Sequence, residues 1–202
     1  MKSFRVYKNI CIISDSYVPQ KLSAAGMIYN LSQMLVDKNI NVTCAFSGII
    51  DEDIKKKYKF DRINFINTNI LASFRNKSLI LRFCFEIATS IVLAVKCFFY
   101  LNKRKDLDLI IWYGPSVFLW IVVKAINFKK KIPVYYILRD IFPDWLISLK
   151  VVKNFYIIWL LKKISNPQYA VSDVIGVEAS ENIIYLNKKG VKTKKIELLP
   201  NW

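Results

Sequence analysis

Short apolar runs rich in β-branched residues recur along this chain, separated by stretches with helical spacing, and this alternation restricts the fold more than any other feature. Asn9 to Ser14, Asn41 to Ser47, Leu109 to Trp112, Val134 to Leu138 and Asp173 to Val177 read as strands, with Arg62 to Asn67 and Ile196 to Leu199 as further candidates. Near-continuous hydrophobicity without polar alternation is the pattern of parallel strands buried on both faces. After the first strand, Ile28, Leu31, Met34 and Leu35 recur at three and four residues. They mark a helix that Ser23 can cap and that ends near Asp37 to Asn39. The unit is βαβ with a right-handed crossover. Alternation from one end to the other predicts an α/β fold: a Rossmann-like, doubly wound parallel sheet in one domain.

Further helices are expected over Asn76 to Leu101, Val117 to Asn127, Phe155 to Leu161 and Ala179 to Lys189, with a short helix or turn from Phe142 to Trp145. Asp51 to Lys59 reads as a solvated, charged connection. The segment Asn76 to Leu101 is apolar over most of its circumference and flanked by Arg75, Lys77 and Arg82 before and Lys103 to Lys105 after. Two readings stand for it: a helix resting in a bilayer interface, or one buried between the sheet and its neighbours. Arg82, Glu86 and Lys96 interrupt its apolar run, so a membrane-spanning segment is not expected. Lys2, Arg5 and Lys8 precede an apolar run, Ile10 to Ile13, too short for a signal peptide, and export is not expected either.

Composition removes several chemistries. The 202 residues contain no histidine, which excludes His-based zinc sites, Ser-His-Asp triads and histidine general bases. Acid or base chemistry has to rest on carboxylates, lysine, tyrosine or cysteine. Cys11, Cys44, Cys84 and Cys97 lie far apart without a CxxC pair, as in a reduced cytoplasmic protein. A net charge of +16 calls for an anionic neighbour. Its lysines are dispersed and accompany no helix-turn-helix, zinc or RRM signature, so no nucleic-acid partner is expected.

In open α/β sheets, ligands bind outside the carboxyl ends of the strands. Arg139 and Asp140 stand at that end of Val134 to Leu138. Asp140 has two readings: a carboxylate that orients substrate hydroxyls, or a cap for the turn at Phe142-Pro143 or an ion-pair partner of Arg139 or a lysine. Small residues follow two other strands, as Ser23-Ala24-Ala25-Gly26 and Tyr113-Gly114-Pro115-Ser116. Small residues at such turns let an anion approach a helix amino terminus, and they equally serve close packing.

The opening strand with Ser14-Asp15-Ser16-Tyr17-Val18-Pro19, the turn ending at Gly26, the block Leu138 to Trp145 (LRDIFPDW) and the close from Asp173 through Leu198-Leu199-Pro200-Asn201 together carry a resemblance. Along essentially its whole length the chain resembles the amino-terminal domain of family 4 glycosyltransferases, which have the two-domain GT-B fold. The LRDIFPDW block is most similar to the branch that includes N-acetyl-L-fucosamine transferases of O-antigen and capsule assembly. The resemblance implies an acceptor-side domain over residues 1–199, an interdomain linker beginning at 200–202, and a donor-binding domain missing from this chain. The chain alone is therefore not expected to transfer sugar.

It implies further that Asp140 is the catalytic-side carboxylate of a transfer retaining anomeric configuration, and that Asp15, Ala25, Gly26, Tyr113, Gly114 and Arg139 are acceptor- or diphosphate-binding candidates. Ala25 stands where many members have a second glycine, and Arg139-Asp140 where many have a histidine. The expected partners are a nucleotide-sugar donor, a polyprenyl-diphosphate-linked sugar acceptor and an anionic membrane surface at the inner face of the cell membrane. No metal or other cofactor is expected, the nucleotide sugar being a substrate. The competing reading is a nonenzymatic remnant that docks onto a partner protein or membrane.

Overall fold

The computed structural model of the chain describes residues 7–58, 60, 62–70, 79–114, 116–191 and 195–202. Lys2, Arg5, Lys59, Arg75, Lys77 and Pro115, named above, lie outside the described residues, as does the expected helix start from Asn76. Seven strands, β1 (Asn9–Ser14), β2 (Asn41–Phe46), β3 (Ile63–Asn67), β4 (Leu109–Tyr113), β5 (Val134–Leu138), β6 (Val174–Val177) and β7 (Lys195–Leu198), form one sheet. Every pairing is parallel and the strand order is β3-β2-β1-β4-β5-β6-β7. The order reverses between β1 and β4, so their carboxyl ends diverge and open a crevice there. The Rossmann-like doubly wound sheet read from the sequence is what the chain forms.

Successive residues of β1 serve opposite layers, because side chains alternate across a strand. Cys11 and Ile13 enter one core with Trp112, Tyr136 and Leu93. Ile10 and Ile12 enter a second with Ala25, Ile28, Phe46 and Phe60. The second core is covered by α1 (Ser23–Asp37) and α2 (Glu52–Tyr58), and the first by α3 (Leu79–Leu101) and α4 (Trp120–Ile126), with residues of α6 (Phe155–Ala170) and α7 (Ser180–Lys188). A third, smaller cluster joins Phe118, Phe142, Leu146 and Leu161, so that α5 (Asp144–Ser148) and α6 are pinned to the turn after β4.

Several local expectations differ from the structure. Ser23 is the first helical residue of α1 and not its cap; Leu22 holds the cap position and no side chain bonds the free amides. The charged connection after β2 contains a helix, α2, although none of its residues is buried. The helix after β4 begins as a 3-10 turn, Val117–Leu119, before α4. The stretch expected to end at Leu161 continues as α6 through Pro167 to Ala170. Proline removes one amide from the ladder. Tertiary contacts compensate here: Ser165, Gln168 and Tyr169 are all buried, and Gln168 accepts a bond from the Tyr136 hydroxyl at 2.9 Å.

Of the two readings offered for the long helix α3, burial against neighbouring elements holds for its inner stripe. Leu93, Ala94, Cys97 and Leu101 are buried in the first core, against the same cluster as Val122, Val123 and Ile126 of α4, while Ile91, Val95 and Phe99 are exposed. By length and composition its Leu81–Leu101 stretch is apolar enough to cross a bilayer, but its inner stripe belongs to the protein core. Cys11, Cys44 and Cys97 are buried free thiols, and Cys84 is an exposed one. Burial pushes the Cys44 and Cys97 thiols up to about 12.

Candidate functional site

The crevice between β1 and β4 holds a cleft of about 130 Å³. Asp15 reaches it from the residue after β1, Ser116 from the turn after β4, and Asp140 from the second residue after β5. Arg82 and Glu86 enter from the first two turns of α3, and Phe142, Trp145 and Leu146 form an apolar wall. The floor is therefore acidic and hydrogen-bonding, the wall aromatic. Hydrogen-bond acceptors beside an apolar face are a composition able to orient a small polar ligand.

Glu86 is held at both of its carboxylate oxygens. Its Oε1 receives the Arg82 Nε–H at 3.0 Å, and its Oε2 lies 3.5 Å from the Ser116 hydroxyl, which donates. Burial nevertheless pushes its carboxyl above the ordinary range, and the nearby Asp15 charge adds to the rise, against the lowering by Arg82 and Ser116. Asp15 accepts from the Ser16 hydroxyl at 3.0 Å.

Asp140 is exposed on one edge and walled by the cleft on the other. Partial desolvation raises its pKa, and the Glu178 charge raises it further. It makes no hydrogen bond or ion pair with another described residue, and α5 has no side-chain cap. The capping reading thus fails in the structure, and Arg139 pairs with Glu178 instead.

Arg139 and Tyr113 form a second cluster on the same rim. The Arg139 side chain is 8% exposed and donates from Nη1 to Glu178 Oε1 at 3.0 Å. Its guanidinium lies over the Tyr113 ring, 5.6 Å from the centroid, and over Trp202 at 5.0 Å. Nε and Nη2 have no hydrogen-bond partner among the described residues. Two buried, unsatisfied donors on a fixed cation are unfavourable unless an acceptor arrives, and the fork geometry of arginine suits a phosphate. Tyr113 donates its hydroxyl to Met27 Sδ at 3.5 Å, which ties this cluster to the first turns of α1.

The other expected site residues divide between open space and packing. A Cβ at Gly26 would meet nothing within 4 Å, so no packing contact explains the glycine. Ala25 beside it is fully buried, and its methyl belongs to the second core. Gly114 is a packing glycine: a Cβ there would lie 2.8 Å from the Tyr136 hydroxyl oxygen. The structure thus joins Asp15 with Asp140 in the cleft and Tyr113 with Arg139 beside it, while Ala25 and Gly114 occupy packing positions.

Three participants were not singled out from sequence. In the sequence Arg82 and Glu86 read as interruptions of an apolar helix, Arg82 also as part of its basic flank, yet their i,i+4 spacing on one face is a usable signal. Glu178 is the residue just beyond β6, where the rim rule that found Asp140 applies equally. Among the described residues, no three His, Cys, Asp or Glu side chains converge in a metal-binding group.

Among solved structures, an Arabidopsis thaliana UGT complexed with UDP-L-rhamnose matches with a TM-score of 0.64 and 11% identity, over 96% of this chain and 52% of that one. A Polygonum tinctorium UDP-glucosyltransferase, described as capable of glucosylating indoxyl and in complex with 3,4-dichloroaniline, matches at 0.55 and 11%, over 98% and 52%. A putative UDP-N-acetylglucosamine 2-epimerase from Listeria monocytogenes matches at 0.55 and 9%, over 95% and 44%. The likeness is one of fold. It places the sheet among the domains from which GT-B proteins are built. The chain spans about half the length of these solved proteins. No family model and no curated protein matches the sequence.

Proposed function

We propose that this chain is the acceptor-side domain of a GT-B glycosyltransferase of the family 4 type, acting with a second domain that binds the nucleotide-sugar donor. The observation that carries the reading is the cleft at the β1–β4 crevice, where Asp15, Glu86 and Asp140 face an aromatic wall. The acceptor would be a sugar on a polyprenyl diphosphate at the inner face of the cell membrane, as in O-antigen or capsule assembly. Its diphosphate would take the two buried, unpaired donors of Arg139.

In the reaction, an acceptor hydroxyl forms a bond to the anomeric carbon of the donor sugar while the bond from that carbon to the diphosphate oxygen breaks. The nucleoside diphosphate departs with the electron pair. The hydroxyl proton passes to Asp140 or to the departing phosphate, and anomeric configuration is retained. A raised pKa brings the Asp140 carboxylate closer to the strength a general base needs near neutrality. Glu86 and Asp15 accept further sugar hydroxyls and fix their orientation, while Gly26 leaves room for the donor diphosphate beside α1.

The test is transfer of labelled sugar from nucleotide sugars to extracted lipid-linked acceptors, with the chain joined to or mixed with a donor-domain polypeptide. Asp140→Asn should lower transfer roughly 100-fold or more at unchanged melting temperature. Absence of turnover in every combination, or full turnover by Asp140→Asn, would refute the assignment.

A further inference from the structure

The lobe built from α5 and the start of α6 exposes aromatic and aliphatic groups that the domain itself leaves uncovered. Phe155 and Tyr156 are 73% and 78% exposed, and Trp159 and Leu160 each stand half in solvent. Trp145, Leu149 and Val151 continue the surface towards the cleft, which Trp145 also lines. The inner residues Leu146, Val152 and Leu161 are buried against Phe118 and Phe142, so the lobe is docked on the domain and its outward face is not a packing failure.

Charge points to the occupant. From Trp145 to Ala170 the chain has four lysines and no acidic residue. Lys150, Lys153, Lys162 and Lys163 are all exposed. Lys163 holds its ammonium 4.3 Å from the Trp159 ring centroid, and Lys150 ends α5 at a left-handed φ of 57°, where glycine is the unstrained choice. Rings and alkyl groups interleaved with lysines match a bilayer interface, where aromatic side chains sit at headgroup level and ammonium groups meet lipid phosphate. A second copy would bring the same cationic face against itself, on a chain of net charge +16.

We infer that the outward face of α5 and the first two turns of α6 docks on an anionic lipid surface. Docking brings the mouth of the cleft to headgroup level, because Trp145 belongs to both. An acceptor anchored in the same bilayer then reaches the acids without leaving it. Only this last step rests on the sugar-transfer reading; the docking itself does not.

Sedimentation of the full chain with vesicles tests it, using phosphatidylglycerol mixed with phosphatidylethanolamine against phosphatidylcholine alone, with no sugar or acceptor present. The parent should partition onto the anionic vesicles, weaken as salt is raised, and show tryptophan quenching by brominated lipid. The triple variant Phe155→Ser, Tyr156→Ser, Trp159→Ser should lose roughly tenfold or more in partitioning, as should Lys162→Glu with Lys163→Glu. Phe99→Ser, on the exposed side of α3, should bind like the parent. The inference is overturned if the parent ignores anionic vesicles at low salt, if Phe99→Ser alone abolishes binding, or if both α6 variants bind as the parent does. It is overturned equally if the parent is a dimer without lipid that the triple variant turns into a monomer. Should the triple variant fail to fold, the lysine reversal carries the test. Vesicle binding without sugar transfer would leave docking standing and remove only the enzymatic reading.

Discussion

Replacing Gly26 by alanine separates what this residue does for stability from what it does for a ligand. Gly26 lies in the first turn of α1, at ordinary helical backbone angles, and a methyl there would meet no atom within 4 Å. Glycine inside a helix is about 0.8–1 kcal/mol less favourable than alanine, because it surrenders more backbone freedom on folding. With no clash to subtract, Gly26→Ala should stabilise the domain by about 0.5–1 kcal/mol, the lower end reflecting its place near the helix start. For a chain of this size that is a rise in melting temperature of roughly 1–4 °C. The same methyl occupies the space proposed for the donor diphosphate, so sugar transfer should fall although the fold is firmer.

Gly114→Ala supplies the opposite control. Its Cβ would lie 2.8 Å from the Tyr136 hydroxyl oxygen and 3.1 Å from a ring carbon. Tyr136 cannot withdraw, being buried and stacked on Trp112 at 3.9 Å. Overpacking of this kind costs about 1–3 kcal/mol, a fall of roughly 2–12 °C. Thermal melts of each variant followed by circular dichroism, with transfer measured after the same protein is combined with a donor-domain polypeptide, decide the matter. A lower melting temperature for Gly26→Ala would refute the open-space argument. A higher one with transfer unchanged would refute the ligand role.

Three further outcomes are expected. Glu86 has a folded-state pKa above its unfolded value, so the folded state binds extra protons in that interval and stability falls as pH rises through it. Glu86→Gln should therefore melt higher than the parent at pH 7, with the gain vanishing below about pH 4, and it should lose transfer; an equal gain at both pH values would contradict the burial argument. Tyr136→Phe strands the buried Gln168 amide oxygen and should lower stability by about 1–3 kcal/mol, read in urea as a lower midpoint at unchanged slope. Arg139→Lys keeps the charge and loses the fork, so pyrophosphate binding should weaken roughly tenfold; a shift in melting with binding intact would make Arg139 only a partner of Glu178.

The strands were legible because a parallel sheet buried on both faces needs uninterrupted apolar runs, and β1, β2, β4, β5 and β6 are such runs. The rim rule then picked out Arg139 and Asp140 without knowledge of any contact, and the family resemblance added Asp15. Less legible were the elements whose local signals conflict with their environment. The expected helix stops at Leu161, yet α6 runs on past Pro167 because Gln168 and Tyr169 gain buried sites, with Gln168 bonded to Tyr136. Ser23 reads as a cap, yet the chain enters α1 through Leu22.

What the amino-acid order determined by itself was the fold class, the exclusion of histidine chemistry and the end of the sheet where polar residues gather. These follow from periodicity and residue type, which are local properties. Which polar groups share a cleft was decided only by tertiary structure. Glu86 meets Asp15 and Asp140 because the strand order reverses between β1 and β4 and lays the first turns of α3 across the opening. The same packing turned the Ala25 methyl into the core, left Gly26 facing open space, and paired Arg139 with a glutamate from the next strand. Sequence spacing carries no record of such contacts, since they arise between residues brought together only when the sheet closes around its core.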